Sequence, residues 1–106
     1  MKRVGAVAAL ACALATPGKA EAPAGFREMM DEATARMHSA MHVPYTGDVD
    51  RDFARMMIPH HQGAIDMALA ELRYGKDERL KRLAQEIVVA QKQEIEVMRL
   101  VLARGN

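Results

Sequence analysis

The chain has no tryptophan, two phenylalanines, two tyrosines and a single cysteine, Cys12. One cysteine forms no intrachain disulfide, so the cysteine frameworks of small secreted scaffolds and of zinc ribbons are excluded. With so few aromatic rings there is no platform on which bases could stack. Basic residues alternate with acidic ones instead of gathering on one face, and a nucleic-acid partner is excluded with them. Cys-x-x-Cys-His for covalent haem, a glycine-rich phosphate loop and an informative Ser/His/Asp spacing are all missing. Glu-x-x-His does not occur either, which removes the paired motifs of a ferritin-like di-iron centre.

The amino terminus reads as a secretory signal. Lys2 and Arg3 precede a short apolar run from Val4 to Ala15, and small residues follow at Gly18 and Ala20. The run is too short to span a bilayer, and cleavage after Ala20 is the expectation, with 21–25 as a flexible leader. Cys12 leaves with the signal; the alternative, a lipoprotein that keeps Cys12 as its lipidated end, fits the preceding Ala9, Leu10 and Ala11 poorly. The expected location is the periplasm or the exterior, with no membrane span in the mature chain. Loss of Lys2, Arg3 and Lys19 leaves twelve basic against fourteen acidic residues, a net charge of −2.

What remains is one small domain over 26–103, near the size at which a single core is only just sufficient. Its commonest large apolar residue is methionine, with eight copies in the mature chain. Methionine fills gaps but specifies packing poorly, which raises the question of whether its sulfur has another use.

Apolar residues Phe26, Met30, Ala33, Met37 and Ala40 recur at spacings of four and three and predict a helix from Phe26 to about His42. Pro44, Gly47 and Asp48 mark a turn. A second helix is expected from Asp48 or Asp50 to Tyr74, ended by Gly75, with Pro59 kinking or breaking it. A third is expected from Asp77 to about Ala103. Its seam, Leu80, Ala84, Ile87, Gln91, Glu94, Met98 and Val101, carries two polar members, Gln91 and Glu94. These reach the rim and fix register, or they face something polar inside. The expected fold is all-α: a small antiparallel bundle of three to four helices with a proline-kinked second helix that faces the third, the first packing across both.

The candidate chemistry sits in "RMMIPHHQGAIDM". On a regular helix Met56, His60 and Met67 share one side, while Met57 and His61 form a neighbouring i, i+4 pair. A bend at Pro59 is expected to turn both pairs toward one point. Upstream, "MHSAMH" places Met37 with Met41, and His38 with His42, at the same spacing. As an alternative, His38 and His42 are exposed helix-end histidines and Met37 belongs to the core stripe. Thioether with imidazole suits copper, Cu(I) above all and Cu(II) next, better than zinc, magnesium or calcium.

The segment Thr46 to Leu102, with "MIPHHQGAIDMA" followed by "Q..EI..M", resembles the bacterial domain of unknown function 305 family of ferritin-like helical proteins. The resemblance implies a helical bundle and, from characterised members, an exported protein that binds copper through Met and His and supports copper tolerance. By position the family motif falls on Met57, His60, His61, Gln62, Asp66 and Met67, then on Gln91, Glu94 and Met98. Met37, His38, Met41 and His42 match the Met/His-rich upstream part. Gln62, Asp66, Gln91 and Glu94 are the expected supporting residues around the ligands.

The leading expectation is therefore copper sequestration or transfer with His60 and His61 central, a copper donor or acceptor protein as partner, and binding without turnover. Two alternatives stay open: a redox enzyme oxidising Cu(I) at the same site, and a structural or interaction bundle without metal. Self-association over the Met-rich face is expected because so small a bundle has a thin core.

Overall fold

The computed structural model describes residues 22–104 together with residues 2, 4–6, 8 and 9. Most of the expected signal segment, Cys12 included, lies outside the described residues. Three helices follow in order: α1 Ala24–Met41, α2 Val49–Tyr74 and α3 Glu78–Ala103. No strand occurs among the described residues, and no helix there is long and apolar enough to cross a membrane.

α2 and α3 start where an aspartate side chain supplies acceptors for their first amides, whereas α1 has no side-chain cap. At α2 the Asp48 side chain accepts from Arg51 N at 3.1 Å, and at α3 the Asp77 carboxylate accepts from Arg79 N and Leu80 N. Such caps satisfy amides that have no partner inside the helix. Ahead of α2, Asp52 clamps the turn by accepting from the amide and hydroxyl of Thr46 at 2.8 and 2.7 Å and from Gly47 N at 3.1 Å. Gly47 has φ +92, a conformation open to glycine and costly for other residues. α1 begins at Ala24, two residues ahead of the expected start and inside the expected leader, with the Pro23 carbonyl accepting from Arg27 N. The reason is tertiary: Gly25 lies under the Tyr74 hydroxyl of α2, so the segment is packed.

α2 runs unbroken through Pro59, so the expected break does not occur. The missing amide leaves the Arg55 carbonyl without its intrahelical donor.

Helix α2 is the centre of the fold. It packs antiparallel against α1, with Tyr74 beside Phe26, Asp66 beside Arg36 and Gly63 beside Met37. It packs antiparallel against α3, with Arg51 donating to the Leu102 carbonyl, His61 meeting Glu94, and Ala54 and Ile65 in one cluster with Ile95 and Met98. Among the described residues α1 and α3 do not approach each other, so α1 packs on α2 alone and not across both partners.

At 100° per residue, Met56, Gly63, Ala70 and Tyr74 form one face of α2, and Ala54, His61, Ile65 and Ala68 form the face opposite. Both carry small residues, and Ala33, Ala70, Ala54 and Ala84 are at most 2% exposed. No large side chain is fully buried among the described residues.

The α3 face also differs from expectation. Its buried members are Ala84, Ile95 and Met98, with Val88 and Leu102 packed against the core, whereas Leu80 is 52% exposed. The expected seam otherwise holds, with Ala84, Ile87, Gln91, Met98 and Val101 buried or half-buried, but Ile95 and not Glu94 joins the cluster with Ala54 and Ile65.

Two outcomes follow from this packing. A Cβ on Gly63 would sit 2.7 Å from Met37 Sδ and 3.1 Å from Met37 Cβ. Gly63→Leu therefore forces α1 off α2 and lowers stability by about 1–3 kcal/mol or more in chemical denaturation. Hydrogen bonding, from the Thr46 hydroxyl first, holds the Asp52 carboxyl below its ordinary 3.8, and the Arg79 side chain does the same first at Asp77. Stability from both is complete above that ordinary value and lost as pH falls through the lowered ones. The Asp52→Asn/Asp77→Asn chain should show a flatter loss of helicity below about pH 4 by circular dichroism.

Candidate metal centre

The methionines and histidines divide between the two faces of α2. On the α1 side, His38, Met41 and His42 from the end of α1, Val43, Pro44 and Tyr45 from the following turn, and Met56 from α2 line one cleft of about 580 Å³. His38 and His42 are exposed, while Met41 and Met56 are half-buried. The arrangement follows from spacing, since i, i+4 residues stack on one side of a helix. The turn forms the far wall because Arg55 Nη1 donates to the Pro44 carbonyl at 3.1 Å, tying it back to α2. Two imidazoles and two thioethers thus share one solvent-facing space.

On the α3 side, His61, Glu94 and Met98 line a second cavity of about 300 Å³ with Phe53 and Val97. His61 Nε2 lies 2.6 Å from Glu94 Oε2. The imidazole is 12% exposed and the carboxylate 56%, so a nearly buried ring is held by a group at the rim. Met98 is 8% exposed, and Met57 packs against the same cluster. Two buried polar atoms among the described residues have no hydrogen-bond partner, His61 Nδ1 and Gln91 Oε1.

The expected meeting of both Met/His pairs does not take place. His60 is exposed, its ring centroid 6.0 Å from that of His61 with planes 57° apart, and it lines neither cavity. Five residues apart, Met56 and His61 point about 140° from each other around the helix axis, and with a neighbour on each side of α2 that divergence sends Met56 to α1 and His61 to α3. Met67 lines a separate, mostly apolar groove with Ala64, Leu80, Leu83 and Ile87. Met37 covers Gly63, the packing role that its place on the apolar stripe allowed. Gln62 donates to Asp66 at 3.0 Å, and Asp66 lies 3.6 Å from Arg36, so this pair ties α2 to α1 and orients no imidazole.

Among the described residues no three His, Cys, Asp or Glu side chains group as metal donors. A larger donor set on this chain has to recruit other side chains, and the thioethers stand beside the imidazoles in both cavities. Val43, Pro44 and Tyr45 were readable in the sequence only as a turn. The signal for their role was their position directly after "MHSAMH".

The chain matches the family described as Domain of unknown function (DUF305) over residues 5–102. It belongs to that family. A stretch of 53 residues is also 40% identical to Uncharacterized protein L153 of Acanthamoeba polyphaga mimivirus. That match covers 50% of this chain and 35% of the viral protein, so the shared segment spans about a third of the relative's length. Neither description names an activity.

The two cavities differ in what they ask of methionine. In the metal-free DUF305 chain, Met98→Ala empties a buried position and should cost about 2–5 kcal/mol in urea denaturation. Met41→Ala at the open cleft should cost about 1 kcal/mol or less.

Proposed function

We propose that this protein binds and exchanges copper, Cu(I) before Cu(II), as an exported sequestration or transfer protein. The observation that supports this reading most is the cleft that His38, Met41, His42 and Met56 line together. Thioether sulfur is a soft donor and imidazole an intermediate one, a set that favours Cu(I) over the hard divalent ions. The cleft is open and its histidines exposed, which suits a carrier whose cargo must pass to a partner. Binding without turnover is the activity, and the partner is a copper donor or acceptor. The periplasmic setting rests on the basic and apolar pattern of residues 2–20.

Competition with a coloured Cu(I) chelator tests the reading on the chain from residue 21. Parent protein should bind tightly, and His38→Ala/His42→Ala should weaken binding by about tenfold or more per ligand, ~1.4 kcal/mol each. His60→Ala/His61→Ala separates the contribution of the second cavity. Equal weak binding by parent and variants, all folded, removes the copper reading.

One observation favours a second reading, an interaction bundle without metal. Leu80, Leu83, Val89, Val97 and Leu100 of α3 and Phe53 of α2 are each 44% exposed or more, on a bundle with a thin core. A thermal midpoint that copper does not move would favour it, since a ligand held only by the folded state raises apparent stability.

A further inference from the structure

We propose that a second copy of this chain covers one broad face of the α2–α3 pair, in a two-fold dimer in which Phe53 of each copy enters an apolar groove of the other. The dimer goes beyond the copper reading and needs no metal. Its surface is the leucine and valine one, not the methionine one.

The need for a cover comes from how the helices are laid out. α1 and α3 pack on opposite sides of α2 and do not approach each other, so the described residues form a single layer of helices with two open faces. Domains ordinarily bury the apolar side of one layer against a second. The two faces differ in chemistry. On one, Gln62, Lys92, Glu96 and Arg99 line the groove between α2 and α3, and Asp66 meets Arg36 beside it. On the other, Ala64, Met67, Leu80, Leu83 and Ile87 line a groove of about 320 Å³.

Helical spacing puts more apolar surface on that second face. At 100° per residue Phe53 lies within about 20° of Ala64 on α2, a quarter-turn from the faces that meet α1 and α3, whereas Gln62 points about 160° from Ala64. Along α3, Leu83, Ile87, Ala90, Glu94, Val97 and Val101 recur at spacings of four and three, a stripe about 100° from buried Ala84. Phe53 is 59% exposed and Val97 61%, and both border one opening with Glu94. The carboxylate of Glu94, the charged member of the stripe, already meets His61 of its own chain.

Self-complementarity selects the occupant. A two-fold contact buries the same patch on both copies, so what projects at one end has to fit a hollow at the other. Here Phe53 projects, and the hollow lies about 20 Å further along α2. At about 320 Å³ it exceeds the roughly 150 Å³ that takes up a benzene ring. A two-fold axis near His60, between the two features, seats both rings at once. With the 26 residues of α3 the face is about 39 Å long, and two helices make it roughly 20 Å wide. It offers on the order of 800 Å² per copy, which is what a stable interface takes from each partner. Among the described residues no large side chain is fully buried in one copy, as expected of a core that association completes.

The chain from residue 21 holds all three helices, and sedimentation velocity on it in the presence of a metal chelator tests the proposal. The parent should sediment as a dimer at micromolar concentration. Phe53→Asp should weaken the dimer by ~30-fold or more, the effect of losing an interface anchor. Leu83→Glu should do the same from the groove side. Val89→Glu/Leu100→Glu alters side chains that are at least as exposed but lie on the outer side of α3, and should leave the dimer as in the parent. Circular dichroism checks that each variant keeps its helicity.

A parent chain that stays monomeric up to millimolar concentration overturns the proposal. So does a dimer that survives both Phe53→Asp and Leu83→Glu, or one that Val89→Glu/Leu100→Glu dissolves. A dimer that forms only once copper is added also overturns it, an outcome under which the copper reading stands and the apolar interface falls.

Discussion

Every tertiary contact between helices in this bundle runs through α2. Because α1 and α3 do not approach each other, α2 has to bury two opposite faces, and each needs a close approach. Small residues make that approach feasible: Gly63 under Met37 on one side, and Ala54 and Ala68 on the other. The arrangement leaves little room for a core of large side chains. Unbranched methionine fills what irregular space remains, with Met57 and Met98 beside Ile65 and Ile95.

The same constraint governs the chemistry. On α2 Met56 and His61 lie about 140° apart, and the two flanking helices partition them: Met56 joins His38, Met41 and His42 in one surface cleft, while His61 joins Met98 in another. The methionines differ in burial: Met98 is 8% exposed in the core, whereas Met41 at the cleft is half-buried. In the turn from Val43 to Tyr45, Arg55 of α2 fixes the cleft wall through the Pro44 carbonyl.

Much of the helical layout was legible in the residues. Asp48 and Asp77 marked the starts of α2 and α3, Gly75 ended α2, and the observed bounds fall within a residue or two of expectation. Capping and turn chemistry act over a few residues, so local sequence carries them in full. The start of α1 was less legible, because Gly25 is held by Tyr74, a residue 49 positions away. On α3 the seam was legible at Ala84, Ile87, Gln91, Met98 and Val101 and differed at Leu80 and Glu94. Helical periodicity admits both Glu94 and Ile95 as core members, and packing with Ala54 and Ile65 selects Ile95.

The sequence by itself determined three helices, their caps, the absence of disulfide chemistry and a methionine–histidine donor set, because each follows from residue type and short-range spacing. The tertiary structure decided which donors meet, because spacing fixes angles around one helix axis and says nothing about where its neighbours stand. Only with α3 in place does His61 turn from an exposed helix residue into a nearly buried one paired with Glu94 at the rim, while His60 stays exposed.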